Sequence, residues 1–361
     1  MNIAEYIWLD GSEPIPQIRS KTRVVQVGNS HPGASDFPEW SFDGSSTAQA
    51  VGSDSDCILI PVSVVRDPIR GGENCLVLCE VQDADGNVHP SNTRSKLRQV
   101  AAKSGDQDPW IGFEQEYTLF KDGRPLGWPT IGFPGPQGPY YCSVGADVAF
   151  GREIAERHMQ ACTSIGLSFY GLNAEVMPGQ WEFQIGYRGF DAKDPSVLDI
   201  ADQLWVARWL LHRIAEDEGV SVSFDNKPVA GDWNGAGMHT NFSTRQTRDK
   251  SSGLIAIQDA VNKLKAKHDE HIAVYGFDLE KRLTGDHETC SIDEFKSGAA
   301  DRGASIRIPR PVASKGYGYF EDRRPGANAD PYLVAARLIE TVCVPEKEQP
   351  KDEAPDPAIA A

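Results

Sequence analysis

Six side chains able to hold hard divalent cations, Glu114, Glu116, Glu175, Glu182, His239 and Glu321, are scattered over more than half of this chain. Each lies in a short, strand-like segment bordered by glycine and rich in aromatic residues. Carboxylates in such company constrain the fold. Mg²⁺ and Mn²⁺ take carboxylate oxygen with an occasional imidazole. Five carboxylates gathered in one place repel one another unless divalent ions sit between them. The pattern therefore predicts a sheet that gathers these acids around a polynuclear site suited to phosphate.

The local spacing carries the same expectation. In the run from Trp110 to Phe120, Glu114 and Glu116 stand two apart. A β-strand puts both on one face and leaves Phe113 and Tyr117 to the alternate side. The plain alternative is an exposed strand edge. Glu175 and Glu182 are seven apart and would face opposite ways along an unbroken strand, so a bend at Pro178-Gly179 is required for them to meet. Before His239 stand Gly231, Gly235 and Gly237, which permit close backbone approach to an anion. A lone histidine is more often structural, so His239 draws its weight from its company. His268 and His271 are read as solvated residues at the end of a charged helix. From Arg302 to Pro309 and from Tyr317 to Pro325 guanidinium groups accumulate, and alternation places Tyr319, Glu321 and Arg323 on one face. Arginine binds phosphate and carboxylate as a fork; surface salt bridging is the plainer reading.

The net charge of -16 argues against a nucleic-acid or anionic-membrane binder, whose affinity comes from clustered Lys and Arg. Seven scattered cysteines without a C-x-x-C pair read as reduced core thiols. Met1 to Ser20 shows neither a secretory signal nor an Arg-rich transit peptide, and no run reaches membrane-spanning length, so the cytoplasm is expected. A Walker-type lysine, a G-x-S-x-G elbow and a dinucleotide fingerprint are all missing from the sequence.

With 361 residues, 40% of them hydrophobic, two domains are expected. β-type runs at Arg23 to Val27, Cys57 to Val65 and Leu76 to Val81 predict a small β-rich unit from Lys21 to about Val81. The segments Trp40 to Thr47 and Ser53 to Asp56 read as small polar loops within it. A turn at Asp85-Gly86 leads to a helix around Thr93 to Lys103. Helical periods follow at Ile154 to Ile165, Val197 to Ile214 and Leu254 to Leu264, expected to back an antiparallel sheet. The Pro- and acid-rich segment 345–361 reads as a disordered tail.

Taken in order, Trp40 to Thr47, Phe113 to Tyr117, Gly135 to Cys142, Asn173 to Phe183, Asn234 to Ser243, Arg282 to Thr289, Arg302 to Pro309 and Tyr319 to Pro325 closely resemble type II (eukaryotic-like) glutamine synthetase. The resemblance runs from about Trp40 to Tyr332. It implies an α+β fold: a β-grasp domain over 1–86, and a catalytic domain over 87–344 whose curved antiparallel sheet is backed by helices. It also implies a homo-oligomer of two stacked pentameric rings with sites between neighbouring subunits. The substrates would be L-glutamate, ammonium and ATP, with two or three Mg²⁺ or Mn²⁺ ions per site.

By the same resemblance, Glu116, Glu175 and Glu182 hold one metal and Glu114, His239 and Glu321 another. Asp56 reaches a neighbour's site to take a proton from ammonium, and Glu288 closes as a flap. Arg282, Arg302 and Arg323, with the Asp232-Trp233 backbone, grip glutamate or the phosphoryl group. Nucleotide contacts fall to Trp110, Glu114, Glu182, Asn241, Phe242, Ser243, Arg302, Arg307 and Tyr319. Asp301, Met238 and Lys281 depart from the family's common Asn, Cys and Arg, and Asp301 would soften the field of Arg302. The rival readings are a γ-glutamyl-amine ligase, against which Asp56 and Glu288 argue, and a non-catalytic ring protein on the same fold.

Overall fold

The computed structural model describes residues 1–186 and 195–345. From residue 346 onward, the expected tail lies outside the described residues.

A five-stranded sheet forms from β1 (Asn2–Leu9), β2 (Ile18–Val25), β3 (Trp40–Asp43), β4 (Asp56–Arg66) and β5 (Cys75–Gln82), in the order β2-β1-β5-β4-β3. Strand β1 runs parallel to β5, and the other neighbours are antiparallel. Alternation divides β1 and β5 between two cores. Tyr6, Trp8, Val77 and Val81 pack with Phe42 and Leu59 in a small core, whereas Ile7, Leu76 and Leu78 join the large core of the rest of the chain. Burial on both faces explains why β5 reads as a near-continuous apolar run. The small unit thus begins at β1, ahead of the Lys21 start that the β-type runs alone predict, because β1 pairs with β5. Strand β2 starts at Ile18 rather than Arg23, and its charged residues Arg19, Lys21 and Arg23 suit an edge strand. The Trp40 to Thr47 segment is a strand and a single 3₁₀ turn, not a loop.

The link turns at Gly86, with φ +83°, into α1 (Thr93–Ala101), whose first turn is capped by Asn92 accepting from the Ser95 N–H at 3.2 Å. A nine-stranded sheet follows: β6 (Trp110–Lys121), β7 (Arg124–Pro125), β8 (Phe169–Ala174), β9 (Gln180–Gly186), β10 (Ser221–Ser223), β11 (Met238–Ser243), β12 (Ser297–Ala299), β13 (Ile306–Ile308) and β14 (Phe320–Asp322). Its main path is β12-β13-β14-β11-β6-β9-β8, with β7 and β10 also pairing with β6. It is antiparallel except between β12 and β13. The three expected helices are α2 (Arg152–Ser164), α3 (Val197–Glu216) and α4 (Gly253–Ala266). Two short helices, α5 (His268–Ile272) and α6 (Arg310–Lys315), and the unforeseen α7 (Pro331–Cys343) complete the described set. α7 begins as sequence rules favour: Asp330 caps it by accepting from the Tyr332 N–H at 2.8 Å, and Pro331 occupies the first turn.

Helix α3 is buried on nearly every side, and its Arg208 reaches the back of β6. There Arg208 Nε donates to Gln115 Oε1 at 2.9 Å, while Phe113 and Tyr117 on the same face are fully buried. The front of β6 is left to Glu114 and Glu116. His271 corrects the expectation of a solvated residue: it is fully buried between the Tyr275 hydroxyl at 2.5 Å and Thr341 Oγ1 at 2.8 Å. His268 is likewise engaged, at 2.7 Å from Ile292 O and 3.1 Å from Arg324. A lysine- and acid-rich stretch hid an inward face. All seven cysteines are free thiols, six of them buried and Cys142 exposed. Among the described residues no helix is long and apolar enough to cross a membrane.

Candidate active site

Strand register lays the acids in a row. On β6, Glu114 pairs with His239 of β11 and Glu116 pairs with Glu182 of β9, while Asn241 of β11 pairs with Glu321 of β14. One face of four adjacent strands therefore presents Glu321, His239, Glu114, Glu116 and Glu182. Glu175 follows β8 and returns to this face through the turn before Gln180, whose N–H donates to Met177 O at 3.1 Å. The turn depends on Gly179: its φ is +77°, and a Cβ there would lie 2.8 Å from the main-chain N and O of Leu126.

Two groups of donors result, each with its ligand atoms within 4.8 Å of one another: Glu116, Glu175 and Glu182, and Glu114, His239 and Glu321. Their surroundings differ. Among the described residues, no Lys or Arg lies within salt-bridge distance of the first trio, which receives hydrogen bonds from Asn173, Gln184 and the Gly237 N–H. Burial, then the charge of Glu116, pushes Glu175 up to about 8. Burial followed by Glu114, Glu116 and Glu175 pushes Glu182 well above the usual carboxylate range, and burial raises Glu116 against the opposing charge of Arg282. Like charges crowded out of water are what a divalent cation relieves. In the second trio, Glu321 is held by Arg307 at 2.6 Å and Arg323 at 2.7 Å. His239 Nδ1 lies 3.5 Å from Glu321 and 3.8 Å from Glu114, and its Nε2 lies 2.9 Å from Arg282 Nη2. Burial, then the charge of Arg323, keeps the imidazole neutral, which is the form that ligates metal. The first set offers three carboxylates and the second two carboxylates and one imidazole, donors suited to a hard divalent cation.

These groups line a cleft of about 450 Å³, together with Glu288, Arg302 and Arg282. Arg302 and Glu288 are exposed at its mouth, 3.9 Å apart. A second cleft of about 280 Å³ is lined by Trp110, Asn241, Phe242, Ser243 and Tyr319, although the Phe242 ring packs in the core against Phe320. Arg307 belongs to the first cleft. Asp232 and Trp233 precede Asn234 and Gly235 in that wall but line neither cleft. Asp56 opens β4 in an exposed position and lines neither cleft of its own chain.

Sequence reasoning assigned no role to Tyr170 and Arg248 in the second cleft. Arg248 lies 3.7 Å over the Trp110 ring, a cation–π pairing that no local spacing announces. Gln137 and His287 were passed over inside motifs already singled out.

Residues 1–84 match the family described as glutamine synthetase, beta-Grasp domain, and residues 90–273 match glutamine synthetase, catalytic domain. The chain belongs to the glutamine synthetase family. Named relatives support the membership. "Glutamine synthetase, chloroplastic" of Chlamydomonas reinhardtii is 55% identical over 350 residues, covering 94% of this chain and 90% of that protein. "Glutamine synthetase" of Frankia alni is 56% identical over 341 residues, 94% of this chain and 92% of its own length. The Streptomyces viridochromogenes protein of the same name is 52% identical, with 94% and 96% covered.

The departures from the family pattern are accommodated locally. Asp301 turns its Oδ1 to the Gly303 N–H at 2.9 Å, Met238 is fully buried with its sulfur 3.3 Å from Arg208, and Lys281 pairs with Asp278 at the surface.

Proposed function

We propose that this chain is an ATP-dependent ligase that joins ammonia to the γ-carboxylate of L-glutamate through γ-glutamyl phosphate, giving glutamine, ADP and phosphate. Membership of the glutamine synthetase family supports the activity, and the cross-strand row of ligands is the observation that carries the chemistry.

Glu116, Glu175 and Glu182 hold one divalent cation and Glu114, His239 and Glu321 the other. Mg²⁺ or Mn²⁺, when bound, neutralises charge on the transferring phosphoryl group. The chain's own residues do the rest. Arg282, Arg302 and Arg323 orient glutamate and the phosphoryl group from the walls of the first cleft. The second cleft takes the nucleotide between Trp110 and the wall from Asn241 to Ser243, with Tyr319 opposite and Arg307 on the phosphate side. Asp232 and Trp233 complete the glutamate end through main-chain groups. A carboxylate becomes an acyl donor once phosphorylated, and ammonium becomes a nucleophile once deprotonated. Asp56, which lines neither cleft of its own chain, takes that proton in the neighbouring subunit, and Glu288 excludes water. This division of labour requires an adjacent subunit, and the assembly is read as two stacked pentameric rings in the cytoplasm. Domain limits are read as 1–86, 87–344 and 345–361, and the turns from Asp83 to Asn92 support the first boundary alone.

Purified protein given glutamate, ATP, Mg²⁺ and ammonium should release phosphate matched by glutamine. Phosphate release indifferent to ammonium would refute the assignment. Asp56→Ala should lose ammonium use more than acyl phosphate formation; equal losses would remove Asp56 from its role. Competition between ammonium and ethylamine separates this activity from that of a γ-glutamyl-amine ligase.

A further inference from the structure

The loop that carries Glu288 is strained at its centre. His287 and Glu288 have φ of +52° and +60°, in the left-handed region that side chains with a Cβ avoid. Two such residues in succession persist only where neighbours hold them. Arg323 Nη2 donates to Glu288 O at 3.3 Å, and Thr289 Oγ1 donates to Asp286 O at 2.7 Å. The remaining tether comes from a different part of the chain.

Gln137 joins three segments. Its Oε1 accepts from the Asn234 main-chain N–H at 2.9 Å, and its Nε2 donates to Asn234 Oδ1 at 2.7 Å. The same Nε2 lies 3.2 Å from His287 Nδ1. Because a main-chain N–H fixes the oxygen end of the amide, the NH₂ end must face the imidazole. His287 Nδ1 is therefore the bare acceptor, and the hydrogen resides on Nε2. That hydrogen points at Asp232 Oδ1, 3.0 Å away. One neutral tautomer satisfies both contacts. Asn234 is followed by Gly235 and Gly237, and the Gly237 N–H binds Glu116, so the tether ties the strained loop to the backbone of the ligand cluster.

We propose that Gln137, His287 and Asp232 form a latch that keeps the Glu288 loop closed while the acyl phosphate awaits ammonia. This rests on the ligase reading above. Gln137 and His287 are positioning residues in this proposal: Gln137 bonds to His287, which precedes Glu288 in the loop and lines the same cleft. With the latch broken, water adds its oxygen to the γ-carbonyl carbon, the carbon–oxygen bond to phosphate breaks, and glutamate and inorganic phosphate leave in place of glutamine.

The test is the ratio of phosphate released to glutamine formed by the full-length protein with glutamate, ATP, Mg²⁺ and limiting ammonium. Wild type should give a ratio near unity. Gln137→Ala and His287→Ala should raise the hydrolytic fraction by about fivefold for each hydrogen bond lost. Gln137→Met keeps the length of the side chain but can neither donate to Asn234 Oδ1 or His287 nor accept a hydrogen bond from either. It should uncouple as Gln137→Ala does even if the alanine variant folds poorly. Variants that turn over more slowly at an unchanged ratio would overturn the latch and leave these residues a packing role. Wild-type phosphate release without ammonium-dependent glutamine would overturn the ligase reading instead, and the latch with it.

Discussion

Protons and metal should compete for the Glu116, Glu175 and Glu182 trio. Burial and neighbouring charge place Glu175 at about 8 and raise the other two. A raised carboxylate pKa means the proton is held at neutral pH and must leave when a cation binds, so affinity rises with pH. For the Glu175 proton alone, the apparent Kd for Mn²⁺ falls about tenfold from pH 6 to 7 and roughly sixfold from pH 7 to 8, then levels. Protons on Glu116 or Glu182 steepen the slope. Titration calorimetry in two buffers of unequal ionisation enthalpy reads the protons released, and at pH 7 about one or more should leave per trio. Glu175→Gln should weaken binding and lower the proton count by about one. An affinity constant between pH 6 and 8, with equal enthalpy in both buffers, would refute the reasoning.

Four further substitutions follow from the packing. Arg324 is buried and paired with Asp322 at 2.9 and 2.7 Å, so Asp322→Ala should cost about 3–5 kcal/mol. Asp217→Ala, which breaks an exposed pair with Arg157, should cost about 1 kcal/mol or less. Urea midpoints at one protein concentration compare the two, and equal losses would sink the distinction. Burial lowers His158 to about 4, so the native imidazole stays neutral while the unfolded one titrates near 6.5. Its contribution is complete above that pH and is lost as pH falls toward 4, about 2 kcal/mol between pH 7.5 and 5. His158→Gln should be less acid-sensitive in melting by that amount, and an unaltered pH profile would contradict the assignment. Gly179→Ala should strain the turn against Leu126 and displace Glu175 from Glu182. Metal affinity should fall more than nucleotide affinity, and normal calorimetric binding of both would show the turn to be tolerant.

Much of the site was legible because strand alternation is a short-range rule. Glu114 and Glu116, two apart, must share a face, and Pro178-Gly179 had to turn if Glu175 was to meet Glu182. The register that sets His239 opposite Glu114 depends on pairing between residues over a hundred positions apart, and only the resemblance anticipated it. β1 was missed because its buried Glu5, paired with Arg70 at 2.8 Å, looks like a surface acid in sequence. His271 was misread for a related reason. Its partners Tyr275 and Thr341 arrive from one helical turn away and from α7, and a periodicity of apolar residues is blind to a buried polar pair.

Strand β6 has Arg208 anchoring its back and carboxylates on its front, and this gives the chain a built-in check on its own assembly. A slip of one residue against β9 or β11 would turn Phe113 and Tyr117 toward solvent and drive Glu114 and Glu116 into the helices. Misaligned molecules would forfeit their core and their chemistry together, so damage here should appear as fewer working copies rather than as a full population of sluggish ones.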